Sequence, residues 1–100
     1  MPREHLLARE ISERPLVELR VRREGEDQLV DAYFADARGD RLHLCFIGVS
    51  ELRISRLQLG VSGYRLLDLR GLGKRDRTVQ LAPPKGRGAA LFARVVMAVD

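Results

Sequence analysis

Apolar and charged residues alternate one for one through Val17-Glu18-Leu19-Arg20-Val21-Arg22. That period of two constrains the chain more than any other feature. A helix would scatter these side chains around a cylinder, whereas a pleated strand sends them to opposite faces. The pattern returns along the chain. Val30, Ala32 and Phe34 line one face of a second strand, with Asp31 and Tyr33 on the other. Arg41–Ile47 forms a third. Beyond Gly48 the alternation continues as Leu52 and Ile54, then slips phase to Leu57 and Leu59, which predicts a bulge or a bend. Tyr64–Arg70 and Arg77–Leu81 are further strands. In the closing ALFARVVMAVD, three valines favour a strand over a helix.

Turn residues punctuate these runs at Glu24–Asp27, Asp36–Asp40, Gly60–Gly63, Gly71–Asp76 and Pro83–Gly88. Only the residues ahead of Pro15 read differently. Leu7 and Ile11 are four apart, Glu10 faces Arg14 at helical spacing, and Pro15 ends the segment. The expectation is therefore a mainly β fold, with α+β as its nearest variant. It is an antiparallel sandwich or curved sheet of six to seven short strands with a short N-terminal helix. No β-α-β alternation supports a doubly wound nucleotide fold. One hundred residues make a single domain, 1–100, large enough for a core without covalent staples.

Charge divides the chain. Residues 1–51 carry 8 basic and 11 acidic side chains, a net of −3, and residues 52–100 carry 10 and 3, a net of +7. Arginine outnumbers lysine sixteen to two, and its planar fork grips carboxylate or phosphate in pairs. The single cysteine excludes an internal disulfide and fits a reducing compartment. The N-terminal segment is studded with charge, and no run approaches the roughly 20 apolar residues of a membrane span. These features predict a soluble cytoplasmic protein with no membrane association.

Candidate chemistry is sparse. His43 and Cys45 sit two apart in an apolar strand. Such neighbours share a face but stand roughly 6.6 Å apart along it, beyond the roughly 2.6–3.2 Å that a base needs to reach a nucleophile. A metal site would need further ligands, and the other histidine, His5, lies in the helical segment. Cys45 is therefore expected to be a small buried hydrophobe. GLGKRDRT at 71–78 lacks the first glycine and the Ser/Thr of a phosphate loop, and no helix follows it. Carboxylates do not converge, and the serines lack a nucleophile-elbow setting. The reading is a non-enzymatic protein with no catalytic residues, no metal and no cofactor.

The basic residues are the remaining signal. Arg70, Lys74, Arg75, Arg77, Lys85 and Arg87 flank two loops expected at one end of a sheet. Arg53, Arg56, Arg65 and Arg94 extend the set along strands. These groups suit phosphates or carboxylates equally, but only Tyr64 supplies an aromatic ring nearby for base stacking.

LHLCFIGVSELRI, with Phe46, Gly48, Val49, Leu52 and Ile54, resembles a strand–turn–strand of small β-rich bacterial immunity-type proteins encoded beside polymorphic toxins. PLVELRV and ALFARVVMAV are similar to that family's early and last strands. The resemblance implies a module that neutralises one protein partner and offers no catalytic residues. The basic charge departs from the family, many of whose members are acidic. The leading expectation is thus binding of an acidic protein partner through the basic loops. The alternatives are a nucleic-acid-binding module using the same arginines on phosphates, and a structural homo-oligomer joined through an exposed edge strand.

Overall fold

The structure is a computed structural model describing residues 3–73 and 75–99. Among the described residues nine strands run in the order β1 (Arg3–Glu4), β2 (Leu16–Glu24), β3 (Asp27–Ala35), β4 (Arg41–Ile47), β5 (Ser50–Ser55), β6 (Arg65–Asp68), β7 (Val79–Ala82), β8 (Gly88–Ala93) and β9 (Val95–Val99). One helical turn, α1 (Ala8–Ile11), lies between β1 and β2, and a 3-10 turn spans Pro84–Gly86. All pairing is antiparallel. The strands form a five-stranded sheet in the order β1-β6-β7-β8-β5 and a four-stranded sheet in the order β2-β3-β4-β9.

The mainly β expectation holds, and the differences have local causes. The N-terminal helix shrinks to one turn because the backbone before it joins a sheet. Arg3 and Glu4 pair with Asp68 and Leu67, and the His5 amide donates to the Leu66 carbonyl at 2.9 Å. The closing segment is two strands. β8 pairs with β5 and β7, whereas β9 pairs with β4, so the chain changes sheet at Arg94. Its partner makes the same crossing at Gly48, between β4 and β5. The Arg94 amide donates to Ile47 at this shared corner. Gly48 has φ +70, and a Cβ there would stand 3.1 Å from the Arg94 Cβ and 3.2 Å from its guanidinium carbon. The corner therefore needs a residue without a side chain.

The phase slip after Ile54 also has a cause. β5 contains a bulge between Ser50 and Arg53, with Glu51 at φ +51, and the strand ends at Ser55. Residues 56–64 then run irregularly. They are tied to β2 by the Leu16 amide on the Val61 carbonyl and the Gly60 amide on the Leu16 carbonyl.

The inner faces of both sheets make one core. Val30, Phe34, Leu44 and Phe46 of one sheet and Leu66, Leu81 and Leu91 of the other are sealed from solvent, with Ile11 and Leu16 closing the side. Phe34 meets Tyr64 edge-on at 6.0 Å between ring centres, an arrangement that adds about 0.5–1.5 kcal/mol beyond area burial. No described helix is long and apolar enough to cross a membrane.

Candidate functional site: a basic cleft beside the Pro-Pro turn

β7 separates the two basic loops anticipated from sequence. Residues 69–78 precede it and residues 83–87 follow it, so they stand at opposite ends of a four-residue strand, roughly 13 Å apart along it. They do not share one end of the sheet. A β-hairpin alternates its loops between ends, and β7 is the middle strand of two consecutive hairpins.

The first loop uses much of its charge internally. Arg70 grips Asp68 through Nε and Nη2 at 3.0 and 2.7 Å, and its backbone amide donates to the same carboxylate at 2.9 Å. These bonds hold the Asp68 carboxyl at a pKa of about 2. The depression beside this pair, about 620 Å³ and lined by Arg3, Asp68, Arg70, Gly71 and Leu72, thus contains its own counter-ion. Arg77 donates to Glu51 at 2.6 Å and lies 5.2 Å over the Phe92 ring. Arg75 is exposed, with no ion pair among the described residues. Lys74 lies outside the described residues.

The second loop is different. Lys85 and Arg87 line a cleft of about 280 Å³ together with Arg56, Gln58, Val61, Ser62, Tyr64 and Pro84. Among the described residues no carboxylate lines it. Residues 52–67 and 77–99 contain no aspartate or glutamate at all. Arg56, Lys85 and Arg87 form no ion pair among the described residues.

Local backbone chemistry builds this cleft. Pro83 is extended and Pro84 opens the 3-10 turn, closed by the Arg87 amide on the Pro84 carbonyl at 3.0 Å. Lys85 is held at φ +51 and ψ +29, and Arg56 at φ +47. Both are left-handed conformations that side chains disfavour. The floor is rigid. Tyr64 is buried, and its hydroxyl accepts the Ala89 amide at 3.1 Å. Gly88, at φ +122, is what lets that hydroxyl approach, since a Cβ there would lie 2.2 Å from it.

Lys85 and Arg87, singled out from composition and loop position, both line this cleft. Arg56 was placed only as an extension of the patch. Gln58 and Ser62 were missed, because they enter through the Leu16–Val61 bridge, a long-range contact without a sequence signal.

The histidine–cysteine pair belongs to a separate network on the outer face of the four-stranded sheet. Asp31, 3% exposed, is its centre. His43 Nε2 lies 2.7 Å from Asp31 Oδ1, Arg22 Nε donates to Oδ2 at 2.7 Å, and Arg22 Nη2 approaches Cys45 Sγ at 3.7 Å. Tyr33 stacks on His43 at 4.4 Å. Burial pushes the Asp31 carboxyl up, but its bonds to Arg22, His43 and Cys45 outweigh that and hold it below the ordinary value. Burial, then the bond to Asp31, pushes the Cys45 thiol up, the direction opposite to that of an activated nucleophile. The hydrogen-bond partner of His43 is thus Asp31. Among the described residues no three His, Cys, Asp or Glu side chains gather in a metal-holding set.

Comparison with family models, with curated proteins and with solved structures gives no match.

Proposed function

We propose that the protein is a non-enzymatic binding module that docks an acidic protein partner through the cleft of Arg56, Lys85 and Arg87. One observation carries this reading: three cations line one concave surface with no carboxylate among its described lining residues, whereas Arg70, Arg77 and Arg94 of the same basic half are paired within the fold. Unpaired charges that converge cost the free protein electrostatic repulsion, and a partner's carboxylates relieve it. Such pairs contribute on-rate and specificity more than raw affinity. The resemblance to immunity-type proteins points to a toxin as that partner.

Nucleic acid fits less well. Single-strand readers stack bases on exposed rings. Here Phe34, Phe46 and Tyr64 are buried, Tyr33 is stacked on His43, and Phe92 lies under Arg77. Affinity capture with the protein and with Arg56→Glu/Lys85→Glu/Arg87→Glu is the test. At least one acidic protein should be retained by the first, survive nuclease treatment and be lost from the second. Capture that ends with nuclease treatment would make the cleft a phosphate-backbone reader instead.

Self-association is a second reading, favoured by the β9 edge. Val95–Val99 carries no charge, and Val95, Met97 and Val99 are exposed on it. The other three sheet edges, β1, β2 and β5, all carry charged residues, the usual protection against edge-to-edge pairing.

A further inference from the structure

We infer that the cleft of Arg56, Lys85 and Arg87 is a phosphate-monoester site, and that the group it takes is a phosphorylated side chain of the protein partner. The inference rests on the cleft being the partner-binding surface and names what enters it. Three formal positive charges border about 280 Å³ with no carboxylate among the lining residues. A single carboxylate, at −1, leaves most of that charge uncompensated. A phosphate monoester carries about −1.5 to −2 near neutral pH and three acceptor oxygens. Two guanidinium forks suit bidentate contact with such oxygens, and an ammonium adds a compact point charge. Gln58 and Ser62 add neutral donors to the lining, and Val61, Tyr64 and Pro84 an apolar surface for the side-chain stem.

The backbone points the same way. Only three described non-glycine residues have positive φ: Glu51, Arg56 and Lys85. Two of them line this cleft, and both are cations. Gly86 and Gly88 stand one and three residues beyond Lys85, so the turn uses glycine freely where no side chain is needed. At Lys85 and Arg56 it retains a long basic side chain in a conformation that glycine would adopt without strain. Strain retained at a concave surface, on the residues that give it charge, marks a site maintained for a ligand.

The test is an amide-resolved NMR titration of the full chain at constant ionic strength. The probes are inorganic phosphate, doubly capped phosphoserine, doubly capped glutamate and dimethyl phosphate. Capped phosphoserine should saturably shift the amides of Ser62 and of residues 85–88. It should bind more tightly than inorganic phosphate, and about tenfold more tightly than the glutamate and the diester, the difference of one charge-assisted contact. Lys85→Gly and Arg87→Gln should each weaken it about tenfold. The glycine variant removes the strain along with the charge, so it should keep the fold. Absence of saturable shifts, shifts confined to other surfaces, or equal binding of the diester overturns the monoester site. Inorganic phosphate binding as tightly as the ester overturns the side-chain assignment. If phosphate fails while charge reversal still abolishes capture of an acidic protein, only this inference falls. If phosphate binds and no acidic protein is captured, the partner reading falls and the site remains.

Discussion

Gly88→Ala would strike the cleft's floor through a single methyl group. The new Cβ would lie 2.2 Å from the Tyr64 hydroxyl, 3.1 Å from its ring carbon and 3.2 Å from the Pro83 Cβ. The least movement that relieves the first contact withdraws the hydroxyl from the Ala89 amide, which it accepts at 3.1 Å in a buried setting. An unsatisfied buried donor costs about 1–3 kcal/mol. Holding alanine at φ +122 costs about 1–3 kcal/mol more. Together they amount to about 4 kcal/mol, a large share of the roughly 5–15 kcal/mol of a domain this size. The thermal midpoint should fall by about 15–30 °C. Urea titration followed by far-ultraviolet circular dichroism measures the loss. Tyr64→Phe supplies the control, since it deletes the oxygen that the methyl strikes. Alone it should cost about 1–2 kcal/mol through the unpaired Ala89 amide. Combined with Gly88→Ala, it should cost less than the two singly, by about 1–2 kcal/mol of coupling. A Gly88→Ala variant within about 0.5 kcal/mol of the parent, or a strictly additive pair, would refute the reasoning.

Other expectations follow from the same geometry. Lys85→Gly should stabilise the fold by about 0.5–1 kcal/mol, the left-handed strain relieved less the chain entropy that glycine adds; a lower urea midpoint would contradict this. Asp31 and Asp68 both titrate below their ordinary value of 3.8, Asp68 at about 2. The unfolded chain therefore takes up these protons first. Their stabilisation is complete above pH 3.8 and is lost as pH falls through the folded values, so stability should drop steeply between about pH 4 and 2. Asp31→Asn should flatten that drop and lower stability at neutral pH, since it leaves Arg22 without its buried partner; an unchanged acid profile would count against the network. Cys45, 5% exposed with its thiol pushed up, should react with a disulfide reagent at pH 8 only as fast as the domain opens, and labelling at the rate of a free thiol would be inconsistent with that. Met97→Lys should dissociate any dimer built on β9, read by sedimentation velocity at high salt; a dimer that persists would move the interface elsewhere.

Alternation is a local property, and it survives being read one segment at a time. For this reason Val17 to Arg22, Val30 to Phe34 and Arg41 to Ile47 were legible as strands, and their glycine- and aspartate-rich connections as hairpin turns. The structure pairs them in sequence order, β2 to β3 to β4. Composition alone also separated a basic second half from an acidic first half, and placed Lys85 and Arg87 among the candidate binders. What the chain does at Gly48 and Arg94 is another matter. Each crossing is defined by the partner strand's crossing 46 residues away, and no local pattern marks ALFARVVMAV as belonging to two sheets.

The same reason governs the charges. Arg70 is held by Asp68, two residues away and on the same loop. Arg77 is held by Glu51, 26 residues away, and Arg94 by Asp27, 67 residues away. A sequence shows how many arginines there are and not which ones the fold neutralises. Arg56 joins Lys85 and Arg87 because β5 pairs with β8 and residues 56–64 are bridged to β2. Asp31 became the centre of a buried network because pairing of β2, β3 and β4 sets Arg20 and Cys45 opposite it, with Arg22 and His43 one side-chain step along on the same face. Period and composition thus determined that this chain is a β protein with a basic half. Long-range register decided which charges are paired within the fold and which are left without an ion pair among the described residues, because only register brings residues distant in the chain within bonding distance.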